Sequence, residues 1–287
     1  MKITVVGGAG GMGRFFCRFF ASKGWEVLLV DLDPRAPEIA TELGVGYESS
    51  GLRAVKESDG VLVSVPIPAA PEAIGSLAPS LRPGSFLMDV TSVKRGPVDA
   101  MKASAPAEAE VIGTHPLFGP TARGLEGQTI ILTPVGRGKW FQKIQELFES
   151  AGARCPVMTP EEHDRWMAVI QGLTHFTQLA FGLTLRRLGF DVERAREFMS
   201  PSYEVSVDLA GRILAQNPKL YFAIQRGLDT EPVQRAFLEE VEGLMKRVRQ
   251  GDEEGFAREF VAAREHFRKS QEALQRTDEL IARYRKR

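Results

Sequence analysis

Cysteine is scarce in this chain. Only Cys17 and Cys155 occur among 287 residues, and neither stands in a C-x-x-C pair. That excludes a disulfide framework, a dithiol redox motif and a thiolate-clustered metal site. Cys17 sits among Phe15, Phe16, Phe19 and Phe20 and reads as a small buried hydrophobe. No H-E-x-x-H pattern occurs, and His163 and His175, twelve residues apart, point in different directions on a helix, so no metal is expected. Apolar runs of the ~18 residues needed to cross a bilayer are also missing. So is a basic, then apolar, then cleavable N-terminal segment, and a cytoplasmic setting is expected. Net charge is absent too: Lys plus Arg and Asp plus Glu number 37 each. This removes the electrostatic case for nucleic acid or an anionic membrane as partner, and leaves any anionic substrate to local cations.

What is present is a globular composition, 43% apolar and 26% charged, in a chain long enough for two domains. Short β-branched runs at Ile3–Val6, Val27–Val30, Val61–Val65, Phe86–Val90, Val111–Gly113 and Thr129–Leu132 read as strands. Helical patterns near residues 11–22, 35–43, 70–79, 96–103 and 139–150 alternate with them. Such alternation implies βαβ units and a parallel sheet ending near Cys155–Val157. From Thr159-Pro160-Glu161-Glu162, a helix start, the pattern is helical to the end. The expected organisation is therefore an α/β half, residues 1–157, and an all-helical half, residues 158–287. Trp25 and Trp140 read as packing residues.

Gly8, Gly10 and Gly13 fill a G-x-G-x-x-G pattern between the first strand and the first helix. Glycines there permit a tight turn, close approach of a pyrophosphate and close helix–strand packing, and the helix N-terminus offers N–H groups to phosphate. The turn as a whole, Gly8, Gly10, Gly11, Met12 and Gly13, is the expected nucleotide cradle of a Rossmann-type doubly wound sheet. Asp31 ends the second strand, 18 residues beyond Gly13, where a carboxylate bonds ribose hydroxyls and repels a 2′-phosphate. NAD is thus the expected cofactor, with Arg35 as a counter-indication. Pro66 and Pro68, after the third long strand, would shape the loop under the nicotinamide.

The segment Gly113-Thr114-His115-Pro116-Leu117-Phe118-Gly119 puts a histidine at a strand's C-terminal end, the edge where open α/β sheets bind ligands. An imidazole there can move a proton near neutral pH, or simply satisfy a loop. This segment resembles the G-x-H-P-x-F-G pattern of the prephenate dehydrogenase family. Asp89-Val90-Thr91-Ser92-Val93-Lys94 is similar to its D-x-x-S-x-K motif. Glu162-His163-Asp164 through His175-Phe176 resembles its first substrate-domain helix, and Gly211-Arg212 through Pro218 its G-R-x-x-A-Q-x-P segment.

The resemblance implies an NAD-dependent oxidative decarboxylation of prephenate to 4-hydroxyphenylpyruvate, in tyrosine biosynthesis. His115 would take the proton of the C4 hydroxyl and Ser92 would orient it. His175 and Arg212 would hold carboxylates, and Lys94 would touch substrate or cofactor or else be a solvated helix-start lysine. Asp164, Gln171 and His175 are expected on one polar stripe of a single helix over 161–187. The helical half would form a homodimer, because Phe176, Leu179, Phe181, Leu183 and Leu185 leave that helix apolar on most sides. No mutase segment is expected before Met1 and no regulatory domain after Arg287. Arogenate, the amino analogue, is the alternative substrate. A 3-hydroxy-acid dehydrogenase is disfavoured by the lack of lysine over 161–187, and a non-catalytic NAD sensor by the intact Ser92, His115, His175 and Arg212 set.

Overall fold

The computed structural model describes residues 1–284. Contacts divide the chain into two units, Met1–Met167 with Arg226–Leu228, and Ala168–Gln225 with the described residues from Asp229 onward.

The first unit is built on strands β1 (Lys2–Val6), β2 (Glu26–Val30), β3 (Gly46–Tyr47), β4 (Gly60–Val63), β5 (Phe86–Asp89), β6 (Glu110–Pro116) and β7 (Ile130–Pro134). Their order is β3-β2-β1-β4-β5-β6-β7, parallel throughout except that β6 and β7 are antiparallel. The chain leaves β1 toward one edge and returns at β4 toward the other, so the strand order reverses at the C-terminal end of β1. Both faces of the sheet are covered. Leu62 packs in one core cluster with Ile3, Val5, Leu29 and Met88, while its neighbours Val61 and Val63 pack in a second with Leu87 and Val111. This two-sided burial is why β4 reads as an uninterrupted apolar run. Cys17 is fully buried, and burial raises its thiol to about 12. Trp140 lies against Phe86, ring centres 4.8 Å apart, and donates to the Gly84 carbonyl at 2.6 Å.

Six helices accompany this sheet: α1 (Gly11–Ser22), α2 (Ala36–Leu43), α3 (Gly51–Glu57), α4 (Ala70–Leu77), α5 (Arg95–Ser104) and α6 (Lys139–Glu149). Beyond β7 the backbone of residues 154–158 runs along the sheet edge. Ile130 and Leu132 donate to the carbonyls of Arg154 and Pro156, each at 2.9 Å. Helix α7 (Pro160–Met167) follows, closed by a capping box: Thr159 Oγ1 accepts from Glu162 N–H at 3.1 Å and Glu162 Oε2 from Thr159 N–H at 3.4 Å. It packs with the sheet, so the division by contacts falls after Met167 rather than after residue 157.

A π-helical turn, Ala168–Leu173, separates α7 from α8 (Thr174–Arg187). The expected single helix over 161–187 is therefore three segments, α7, the π turn and α8. Beyond α8 come α9 (Val192–Ala195), α10 (Pro201–Leu214), α11 (Pro218–Gly227, whose last two residues count with the first unit), α12 (Glu231–Gln250), α13 (Glu253–Phe267) and α14 (Ser270–Tyr284). Within a single chain α8 has no fully buried residue, and Leu179 and Leu183 are exposed. Among the described residues no helix is long and apolar enough to cross a membrane.

Candidate active site

The glycine turn is fixed by sterics. Gly7 follows β1 with φ +79°, a conformation that favours glycine, and its N–H and that of Gly8 donate to the Val30 carbonyl at 2.8 and 3.2 Å. A Cβ on Gly13 would stand 2.1 Å from the Gly7 carbonyl oxygen, so the opening of α1 can lie against the turn only without a side chain. Asp31 ties the turn to β2 by accepting from Ala9 N–H at 2.8 Å, and from Asp33 N–H at 2.9 Å.

These groups open onto a cavity of about 740 Å³ whose lining includes Gly7, Gly10, Asp31, Leu32, Ser64 and Pro66. Of the sequence-derived cradle, Gly10, Asp31 and Pro66 line it. Gly8 and Gly13 are buried beneath the turn, Gly11 faces Pro120, and Met12 packs against the first core cluster. Gly7 was missed, because the pattern was counted from Gly8. The size of the cavity, the bare turn and the placed carboxylate fit a dinucleotide. Arg35, the counter-indication to NAD, has a largely exposed side chain. Its guanidinium is committed to Asp33 at 2.8 Å, and this hydrogen bond holds the Asp33 carboxyl down to about 2.

The histidine of the Gly113–Gly119 segment lies in the same unit. His115 is the penultimate residue of β6, opposite Ile131 of β7, and is 1% exposed. Its Nδ1 is 2.8 Å from His163 Nε2, and His163 Nδ1 is 2.7 Å from Asp164 Oδ1. Asp164 also accepts the N–H of Lys94 at 2.7 Å and that of Arg95 at 3.0 Å. Burial pushes the Asp164 carboxyl up, but the His163 bond and the two backbone donors outweigh this and hold it below its ordinary value. It is therefore ionised and can only accept.

The protons along the chain follow from that one fact. His163 donates through Nδ1 to the carboxylate, which leaves its Nε2 as an acceptor. His115 must then donate through Nδ1, which puts the lone pair on His115 Nε2. Burial, then His163, then the Lys94 charge hold the His115 imidazole well below its ordinary value. The ring is therefore neutral and basic at Nε2, the state a general base needs.

Ser92 is half-buried in the bend after β5. Asp89 stands opposite Gly113 at the last parallel pair, so Ser92 and His115 both come just after the C-terminal end of the β5–β6 pairing. Lys94 corrects the sequence reading. Its side chain has no exposed surface, and its ammonium is bonded to Asp89 Oδ2 at 2.5 Å and to the Thr114 carbonyl at 2.6 Å. It is neither solvated nor available to touch a substrate.

In the second unit His175 stands edge-on to Tyr221, ring centres 4.8 Å apart at 85°. Its Nδ1 is buried without a hydrogen-bond partner, and burial holds the imidazole below its ordinary value. Burial raises the Tyr221 hydroxyl, against the pull of the nearby Arg212 charge. His175, Tyr221 and exposed Arg212 thus form a second cluster. Sequence reading missed Tyr221, and it missed His163 as the bridge to His115. The signal available for the latter was the Glu162-His163-Asp164 triplet at a helix start.

Comparison with known proteins agrees with both halves. The family profile described as "Prephenate dehydrogenase, nucleotide-binding domain" matches residues 16–157, and "Prephenate dehydrogenase, dimerization domain" matches residues 159–262. The chain belongs to the prephenate dehydrogenase family. A "Probable arogenate/prephenate dehydrogenase" of Methanocaldococcus jannaschii is 37% identical over 272 residues, 93% of this chain and 61% of that protein. The chain thus spans about three fifths of that family member. A "4-amino-4-deoxyprephenate dehydrogenase" of Streptomyces pristinaespiralis is 33% identical over 92% of this chain and 90% of its own length. Among solved members of the family, the A. aeolicus prephenate dehydrogenase in complex with hydroxyphenyl propionate and NAD+ has a TM-score of 0.74 at 22% identity. It covers 93% of this chain and 97% of that one, a likeness of fold.

Proposed function

We propose that the protein is an NAD-dependent prephenate dehydrogenase that converts prephenate to 4-hydroxyphenylpyruvate with loss of carbon dioxide. The observation that carries this reading is the His115–His163–Asp164 chain, which leaves an unprotonated Nε2 on a histidine at the nucleotide-binding sheet's C-terminal edge. The glycine turn and Asp31 would hold NAD, which accepts a hydride when bound. Asp31 favours NAD over NADP, and the pairing of Arg35 with Asp33 supports the same reading.

His115 Nε2 takes the proton of the substrate's C4 hydroxyl as that carbon becomes a carbonyl. The charge formed on the ring is stabilised through His163 by the Asp164 carboxylate, in the way an aspartate supports a catalytic histidine elsewhere. Ser92 orients the same hydroxyl. Arg212 and His175 take the carboxylates of a dianionic substrate, for which a guanidinium offers two parallel bonds. Departure of the ring carboxylate as carbon dioxide restores aromaticity and makes the conversion downhill.

The helical half forms a homodimer, a reading supported by its match to a dimerization domain and by the exposed Leu179 and Leu183 of α8. Sedimentation giving only monomer at micromolar concentration would remove it. The catalytic reading is tested by NADH absorbance with prephenate and with arogenate, each against NAD and NADP. Prephenate with NAD should give the highest kcat/KM. Higher kcat/KM with arogenate would reassign the substrate, and turnover of neither would overturn the proposal.

A further inference from the structure

We propose that Lys94 is a positioning residue that holds both ends of the Asp164–His163–His115 chain from inside the sheet. Its ammonium grips the carbonyl of Thr114, the residue before His115, at 2.6 Å, and is anchored on Asp89 Oδ2 at 2.5 Å. Its backbone N–H grips Asp164 Oδ1 at 2.7 Å, with Arg95 N–H on Oδ2 at 3.0 Å. Asp89 is itself held by Thr91 N–H at 3.0 Å. One residue thus fixes the strand that carries the base and the carboxylate that sets its tautomer.

Both charged side chains are 0% exposed. A buried ion pair is seldom the most stable filling of such a space, since two apolar residues of similar volume often do as well or better. What an apolar pair could not supply is a donor aimed at the Thr114 carbonyl and a fixed positive charge beside two imidazoles. The charged groups acting on the histidines are Lys94 and His163 on His115, and Lys94, Asp164 and Asp89 on His163. Lys94 opposes protonation of both rings.

The activity arm of the test rests on the function proposed above, whereas a spectroscopic arm does not. Lys94→Met alone would leave the Asp89 carboxylate buried and unpaired, so the informative variant is Lys94→Met with Asp89→Asn, whose amide oxygen still accepts from Thr91. A thermal melt and NAD titration establish that it is folded. With prephenate and NAD, kcat should fall about 10²-fold, the scale expected for a misplaced catalytic group. KM should change little, and the acidic limb of the kcat/KM profile should move to higher pH. An unchanged kcat and limb would overturn the proposal. So would a raised KM at unchanged kcat, which would mark Lys94 as a direct substrate ligand.

The spectroscopic arm uses ¹⁵N-imidazole spectra of the ligand-free protein, which has only four histidines. The His115 and His163 rings should protonate at higher pH in the double variant than in the wild type. Identical titrations would overturn the proposal whichever substrate the enzyme takes, and a wild type inactive on prephenate and arogenate leaves this arm intact. Should the double variant not fold, Lys94→Gln, which removes the charge but keeps a donor beside Asp89, must still raise the pH at which the two rings protonate, and unshifted signals there would also refute the role.

Discussion

Replacing Asp164 by asparagine tests the proton arrangement directly, because it changes two atoms and almost no volume. Four donors converge on the carboxylate: the Lys94 and Arg95 N–H groups, His163 Nδ1 and, at 3.4 Å, Arg95 Nε. An amide has one acceptor oxygen. With that oxygen toward Lys94 and His163, its NH₂ meets the Arg95 N–H, donor against donor. Turned over, it keeps Arg95 but donates toward His163 Nδ1. That ring must then carry its proton on Nε2, His115 must accept at Nδ1, and the proton of His115 moves to Nε2, where the base is needed.

Either orientation loses a hydrogen bond to an ionised group, worth about 1.5–3 kcal/mol, and the second removes the base. The wrong tautomer behind a catalytic histidine costs about 10⁴ in rate where it has been measured in serine proteases. A loss of about 10³–10⁴-fold in kcat is expected here, or about 4–5.5 kcal/mol at about 1.36 kcal/mol per tenfold. Stopped-flow or steady-state NADH production, with NAD affinity measured separately, reads it. A folded Asp164→Asn enzyme within tenfold of wild-type kcat would refute the assignment of Nε2 as base.

Other outcomes follow from the same geometry. Asp31→Ala removes an acceptor for ribose and also releases Ala9 N–H, so the NAD KM should rise about tenfold or more while the NADP KM rises less; equal losses would remove the discriminating role. Arg212→Ala should raise the prephenate KM by about 10²-fold or more, with NAD binding unchanged by calorimetry. Gly13→Ala should abolish nucleotide binding, since the new methyl meets the Gly7 carbonyl; retained affinity would mean that the turn shifts freely.

Burial is the main cause holding His115, His163 and His175 below 6.5. The unfolded chain therefore binds more protons as pH falls through 6.5, and stability is lost from there downward. Asp164, held below 3.8, supplies stability at neutral pH that disappears only on further acidification below 3.8. The melting temperature should accordingly drop between pH 7 and pH 5, and a constant value by differential scanning fluorimetry would contradict the neutral buried rings.

The sheet was legible wherever strands are covered on both faces, because Val61-Leu62-Val63 and its neighbours have no polar position to disguise them. β3 was not, since Gly46–Tyr47 is too short to carry a pattern. β6 runs three residues beyond the expected Gly113, since Thr114 and His115 are polar yet buried and carry no apolar signal. The glycine turn and Asp31 were legible because sterics admit so few residues there. The π turn was not, because its apolar residues suit an ordinary helix equally well. Lys94 was misplaced for a related reason. A lysine before a helix is ordinarily solvated, and the partner that buries it, Asp89, is identified only once β5 and β6 lie side by side.

The antiparallel pairing of β6 with β7 has a bearing on how this scaffold could be altered. His115 is stitched into a ladder between two strands, whereas residues 117–129, which follow it, belong to no strand. Loops tolerate replacement far better than the elements they join. Phe118, Ala122 and Leu125 of that stretch pack into the first core cluster, so a library should vary only its exposed positions, such as Arg123 and Gly124, and leave His115 where the ladder holds it.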